Sequence, residues 1–144
     1  MMQLCLAAAG LVVALPLQAY TLAWTHSIEK VRWEEDYRVV GDRLQLTEAR
    51  VLGTGAGMEP PPDAVLKNGI WHYRPQIAPL ESVRLTRSGY VADYQLCAEG
   101  SCRALGDIVG DKVDVVDMSA CEQAPRPLPL PLPLAPRSDS CGCP

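Results

Sequence analysis

The chain has 144 residues, 48% hydrophobic and 21% charged, with a formal net charge of −4. That is one domain's worth of chain, apolar enough to bury a core. A mildly acidic balance without a basic run argues against nucleic acid, and no Lys- and Arg-rich amphipathic helix suggests a membrane-surface anchor.

Residues 1–19 carry no charged side chain and are mostly Leu, Ala and Val. The apolar run Leu4–Leu15 has the length of a signal-peptide core and is short for a bilayer span. Pro16-Leu17-Gln18-Ala19 resembles a small-residue cleavage site. The expectation is a signal peptide over 1–19, a mature chain from Tyr20, and an exported, periplasmic protein. No Lys or Arg precedes the apolar run. Either the true start lies upstream or the segment stays uncleaved as an anchor; a buried N-terminal helix is the remaining alternative.

In Tyr20–His26 the residues Tyr20, Leu22, Trp24 and His26 share one face. A tight turn at Ile28-Glu29 then pairs Trp24 with Trp33 and Leu22 with Glu35. From Val31 to Val39, Val31, Trp33, Glu35, Tyr37 and Val39 alternate with Arg32, Glu34, Asp36 and Arg38, the period of a half-buried strand. Gly41-Asp42 suits a two-residue hairpin loop. Counting outwards, Val39 faces Leu44, Tyr37 faces Leu46, Glu35 faces Glu48 and Trp33 faces Arg50. Two opposed carboxylates on an apolar face need a cation, a shared proton or water. Arg50 is the nearest cation, and one bulge would shift the whole register.

Gly53–Met58 carries glycines at alternate positions, which lets backbone N–H groups turn towards a ligand. It lacks a phosphate-loop ending, and prolines follow it instead of a helix. The register brings His26 to the same end of the sheet. His26, Arg50, Gly55 and Gly57 are therefore the candidate binding residues for a small organic anion, with Glu35 and Glu48 behind Arg50.

Gly69–Arg74 and Leu80–Leu85 read as further strands, and Arg87-Ser88-Gly89 as a turn leading to a partner strand at Tyr90–Leu96. Cys97 and Cys102 flank four residues containing Gly, the spacing of a hairpin disulfide in an oxidising compartment. A last strand is placed at Lys112–Val116. The Pro-Leu repeat from Pro125 to Pro136 favours polyproline II, so 20–123 is taken as the β-domain and 124–144 as a disordered tail. Cys121, Cys141 and Cys143 leave an odd count once residues 1–19 are removed. The terminal Cys-Gly-Cys is either a soft-metal ligand or incidental.

His26-Ser27, Trp33-Glu34-Glu35, Leu46-Thr47-Glu48-Ala49-Arg50 and Gly55-Ala56-Gly57-Met58 resemble the domain-of-unknown-function family DUF1850 over about Tyr20–Leu105. The resemblance implies a small exported bacterial protein, often encoded beside or fused to transporters of the TAXI branch of the TRAP class. It implies no activity.

The expected fold is all-β, a compact antiparallel sandwich or small barrel of about seven strands. No catalytic, dinucleotide or zinc motif is present, and no cofactor or metal is assigned. The expected function is a periplasmic accessory or binding module beside an organic-acid transporter. The alternative is a hydrolase or transferase using Glu35 and Glu48 as an acid–base pair.

Overall fold

The computed structural model describes residues 1–25, 30–52 and 61–122. Two antiparallel sheets pack face to face. The first contains β1 (Met2–Ala8), β2 (Leu11–Leu15), β8 (Ser82–Thr86) and β11 (Val115–Glu122), in the order β2-β1-β11-β8. The second contains β3 (Ala19–Thr25), β4 (Arg32–Val40), β5 (Arg43–Leu52), β6 (Val65–Lys67), β7 (Ile70–Tyr73), β9 (Gln95–Ala98) and β10 (Ser101–Ala104), in the order β10-β9-β3-β4-β5-β7-β6. One short helix, α1 (Leu105–Val109), follows β10. The fold is all-β as expected, with four more strands than expected; among the described residues the sheets stay open, so the sandwich form is found and the barrel is not.

The first hairpin explains where the apolar N-terminus goes. Ala9 and Gly10 form its two-residue loop, both at positive φ (48° and 82°), as the right-handed twist of the flanking strands demands. β1 lies between β2 and β11 and contributes Leu4 and Leu6 to the core, both 0% exposed. Residues 1–19, expected as a signal peptide, thus form two strands and the lead into a third. A strand buried on both faces and a signal core have the same hydropathy, and periodicity cannot separate them.

Core side chains come from both sheets: Leu4, Leu6, Leu85, Val116 and Met118 from one, Tyr20, Leu22, Tyr37, Leu44, Leu46 and Leu96 from the other, with Leu105 and Val109 of α1. A Cys5–Cys121 disulfide joins β1 to β11 with the Cα atoms 5.8 Å apart.

The register of β3 on β4 is the expected one, Leu22 opposite Glu35 and Trp24 opposite Trp33, and the two indoles stack at 6.0 Å. On β5 the expected pairs Val39–Leu44 and Tyr37–Leu46 form. Beyond them the register shifts between Tyr37 and Asp36, and the expected pairs Glu35–Glu48 and Trp33–Arg50 are replaced. Asp36 now faces Glu48, Glu35 faces Ala49, Glu34 faces Arg50, and Trp33 faces Val51. Thr47 is the extra residue of this bulge, and its hydroxyl donates to the Asp36 carbonyl at 3.2 Å. A one-residue slip changes the face of every side chain after it, so Glu48 and Arg50 leave the face they were expected to share with Glu35.

The expected hairpin between Leu80–Leu85 and Tyr90–Leu96 does not form. β8 pairs with β11, and β9 pairs with β3 and β10. The chain between them crosses from one sheet to the other and is held by one ion pair. Arg87 Nε and Nη2 donate to the two oxygens of Asp93 at 2.9 and 3.0 Å, while Arg87 Nη1 donates to the carbonyls of Gly110 and Val113. Asp93 also accepts from the Gly106 N–H at 2.7 Å. The last strand begins later than expected and runs on to Glu122, because it must reach Met2 of β1.

Candidate functional site

The outer face of the seven-stranded sheet carries a cluster of charges set by strand parity and the bulge. Thr21 comes from β3, Glu34 and Asp36 from β4, Glu48 and Arg50 from β5, and His72 from β7. Arg50 is the centre. Its Nε donates to Glu34 at 2.9 Å, Nη1 and Nη2 donate to the two oxygens of Asp36 at 2.6 Å each, and Nη1 also donates to Glu48 at 2.7 Å. The Asp36 contact is the two-pronged geometry in which guanidinium and carboxylate match best. Thr21 Oγ1 donates to Asp36 at 2.7 Å, Arg32 Nε donates to Glu34 at 3.0 Å, and His72 Nδ1 lies 3.5 Å from Glu48.

The electrostatics follow from these contacts. Asp36 is held below the usual carboxylate range, first by the Arg50 hydrogen bonds and then by Thr21, against the opposing effect of burial. For Glu34 the largest influence is burial, which raises its pKa, but the combined hydrogen bonds from Arg50 and Arg32 outweigh it and leave the group lowered. Arg50 is raised above its ordinary value, chiefly by Asp36. The hydrogen bonds of Arg50 thus favour the charged forms of Asp36 and Glu34.

Beside the cluster the same face forms an open groove of about 860 Å³. Thr21, Asp36, Glu48 and Cys97 are among its lining residues, as are Arg38 and Arg74. The Cys97–Cys102 disulfide joins β9 to β10 here, with the two Cα atoms 4.0 Å apart and the residues directly opposite in register.

Glu35 lies on the other side of the sheet. It points between the layers, where the Tyr37 hydroxyl donates to it at 3.1 Å. Burial raises its pKa, and the Tyr37 hydrogen bond only partly offsets that. Tyr20 stacks on Tyr37 with ring centroids 5.5 Å apart, and burial pushes both phenols up.

The profile of the family described as Domain of unknown function (DUF1850) matches residues 20–105, more than half of the chain. The chain belongs to DUF1850. No curated protein and no solved structure matches it. The DUF1850 stretch contains the whole Arg50 cluster and the Cys97–Cys102 disulfide, whereas β1, β2 and β11 lie outside it.

Of the binding residues expected in this DUF1850 chain, Arg50 and Glu48 are brought together, and Glu35 is separated from both by the thickness of the sheet. His26, Gly55 and Gly57 lie outside the described residues. Sequence reasoning missed Glu34 and Asp36 as partners of Arg50, Thr21 as a donor to Asp36, and His72 beside Glu48. The signal was available in the wet-face alternation of Arg32, Glu34, Asp36 and Arg38, but it needed the bulge at Thr47 to bring Arg50 to that face.

Proposed function

We propose that this DUF1850 protein is a binding or accessory module working outside the cytoplasm beside an organic-acid transporter of the TAXI branch of the TRAP class. The observation that carries the choice of a module over an enzyme is the placement of Glu35 and Glu48 on opposite faces of one sheet. An acid–base pair must reach one substrate from within a shared cleft, and a sheet between two carboxylates prevents that. The two disulfides favour an oxidising compartment. The transporter is suggested by the family resemblance.

The Arg50 guanidinium is engaged in four hydrogen bonds to carboxylates. A small organic anion would have to displace them, so Arg50 fits a scaffold role beside the groove better than a ligand contact. The test is organic-acid uptake in the native host. Deleting the gene should slow uptake, and the Glu35→Gln and Glu48→Gln variants should both restore it. Uptake indifferent to the deletion would remove the transporter reading, and failure of either folded variant to restore it would reopen the enzyme.

A further inference from the structure

Among the described residues the two open sheets have four edges, and an edge strand is a template for pairing with another chain unless something blocks it. β6 carries Lys67, β8 carries Arg84 and β10 carries Arg103. A charged side chain on an edge strand is a common block. β2, Leu-Val-Val-Ala-Leu, carries none, and no charged side chain occurs in the sequence before Glu29. Its Leu11 and Val12 are 51% and 65% exposed.

The hairpin geometry defines what this edge offers. A two-residue loop at Ala9-Gly10 makes Ala8–Leu11 the closing hydrogen-bonded pair, and bonded pairs then alternate along the ladder. Leu11 and Val13 bond inwards to β1, and the N–H and C=O of Val12 and Ala14 point away from it. These two residues are spaced so that an antiparallel copy of the same strand satisfies all four groups. Val12 of each copy meets Ala14 of the other, and the two-fold axis passes at Val13.

We propose that β2 is the self-association edge of this protein, pairing with β2 of a second copy into a continuous eight-stranded sheet. The absence of charge selects this occupant. A two-fold contact sets an edge against itself, so pairing through β6, β8 or β10 would place two copies of Lys67, Arg84 or Arg103 in the contact. At β2 the facing pairs are Val13 with Val13 and Leu11 with Leu15, all apolar. The contact is a single five-residue strand from each copy, at the small end of protein interfaces, so the association belongs in the micromolar range, ~10–100 μM.

The test is sedimentation equilibrium of the full 144-residue chain across that range, with three variants. Val12→Pro removes the outward N–H, which an edge strand tolerates. Val12→Lys places a charge on the edge. Val65→Lys changes the β6 edge and serves as control. Wild type and Val65→Lys should dimerise alike, and both Val12 variants should associate at least tenfold more weakly while keeping the wild-type near-ultraviolet circular dichroism. If Val12→Pro fails to fold, Val12→Lys carries the result. A wild-type monomer at all concentrations, or a dimer indifferent to Val12→Lys, would overturn the proposal, as would a monomer that binds uncharged phosphatidylcholine vesicles through β2.

Discussion

Replacing Arg50 by Met tests the logic of the charge cluster most directly. Met keeps the apolar stem and removes only the guanidinium, leaving Glu34, Asp36 and Glu48 facing one another. In the wild type the Arg50 side chain is 17% exposed and its three carboxylates 23%, 30% and 35%. Breaking a fully buried pair costs about 3–5 kcal/mol, while exposed pairs contribute about 0–1 kcal/mol. Partial exposure places this cluster between them, at about 2–3 kcal/mol. For a domain of this size that lowers the melting temperature by roughly 10 °C. The sign with pH is fixed by the carboxylates. Asp36 and Glu34 have lowered pKa values, so their contribution is complete above the ordinary carboxylate value, about 4, and is lost as pH falls through the lowered folded values. In the Met variant the same groups repel one another when ionised. The stability difference is therefore widest near pH ~7 and closes towards pH ~3. Urea unfolding followed by circular dichroism at four or five pH values measures it. A difference below about 0.5 kcal/mol, the range of an ordinary surface change, or one that does not move with pH, would refute the reasoning.

The remaining predictions concern other parts of the sandwich. Glu35→Gln keeps an oxygen for the Tyr37 hydroxyl and removes a charge that burial disfavours; because the folded pKa of Glu35 is raised, wild-type stability falls as pH rises through it. The variant should thus have the higher urea midpoint at pH ~8 and no advantage below about pH 4, and a lower midpoint at pH ~8 would reveal a cationic partner for the carboxylate. The Cys5–Cys121 bond closes a sequence separation of 116 and Cys97–Cys102 one of 5, so loop-closure entropy gives about 5 and about 2 kcal/mol respectively. Cys5→Ser should lower the thermal midpoint well beyond Cys97→Ser, and the reverse order would exclude the entropic account. Gly106→Ala would set a methyl group 2.6 Å from Arg87 Nη2 and 2.7 Å from Asp111 Oδ1; it should loosen the Arg87–Asp93 corner and cost about 1–3 kcal/mol by overpacking, measured by thermal melts, with an unchanged melt showing that the corner repacks freely.

The parts of the fold legible in the sequence were those with one wet and one dry face. The β3–β4 register could be counted because Tyr20, Leu22 and Trp24 alternate with small or polar residues, and Trp33, Glu35 and Tyr37 with charged ones. β1 and β2 were not legible as strands, since Cys5 and Ala7 are apolar on the face opposite Leu4 and Leu6, and no alternation remains to be read. The bulge was illegible for a different reason. Leu44, Leu46 and Glu48 keep a perfect period of two through it, and only the partner strand shows that Thr47 is supernumerary. That single insertion decided the candidate site, because it moved Arg50 from beside Glu35 to the centre of Glu34, Asp36 and Glu48. The crossing between β8 and β9 depends on Arg87 and Asp93, six residues apart, whose pairing resembles an ordinary turn until Gly106 and Gly110 are brought beside them.

The joining of β1 to β11 sets an order in time. A chain made from its N-terminus has the Leu4–Leu15 hairpin first and its partner last, since Val115–Glu122 follows almost everything else in the domain. Until those residues arrive, one edge of β1 has no strand to meet, and neighbouring Leu4 and Leu6 have no complete core to enter. Contacts between such distant segments form slowly, because the intervening chain must be ordered before they stabilise anything. The interval in which the hairpin waits is one of exposure to other nascent chains and to membranes. A chain stopped before Val115 never leaves that interval.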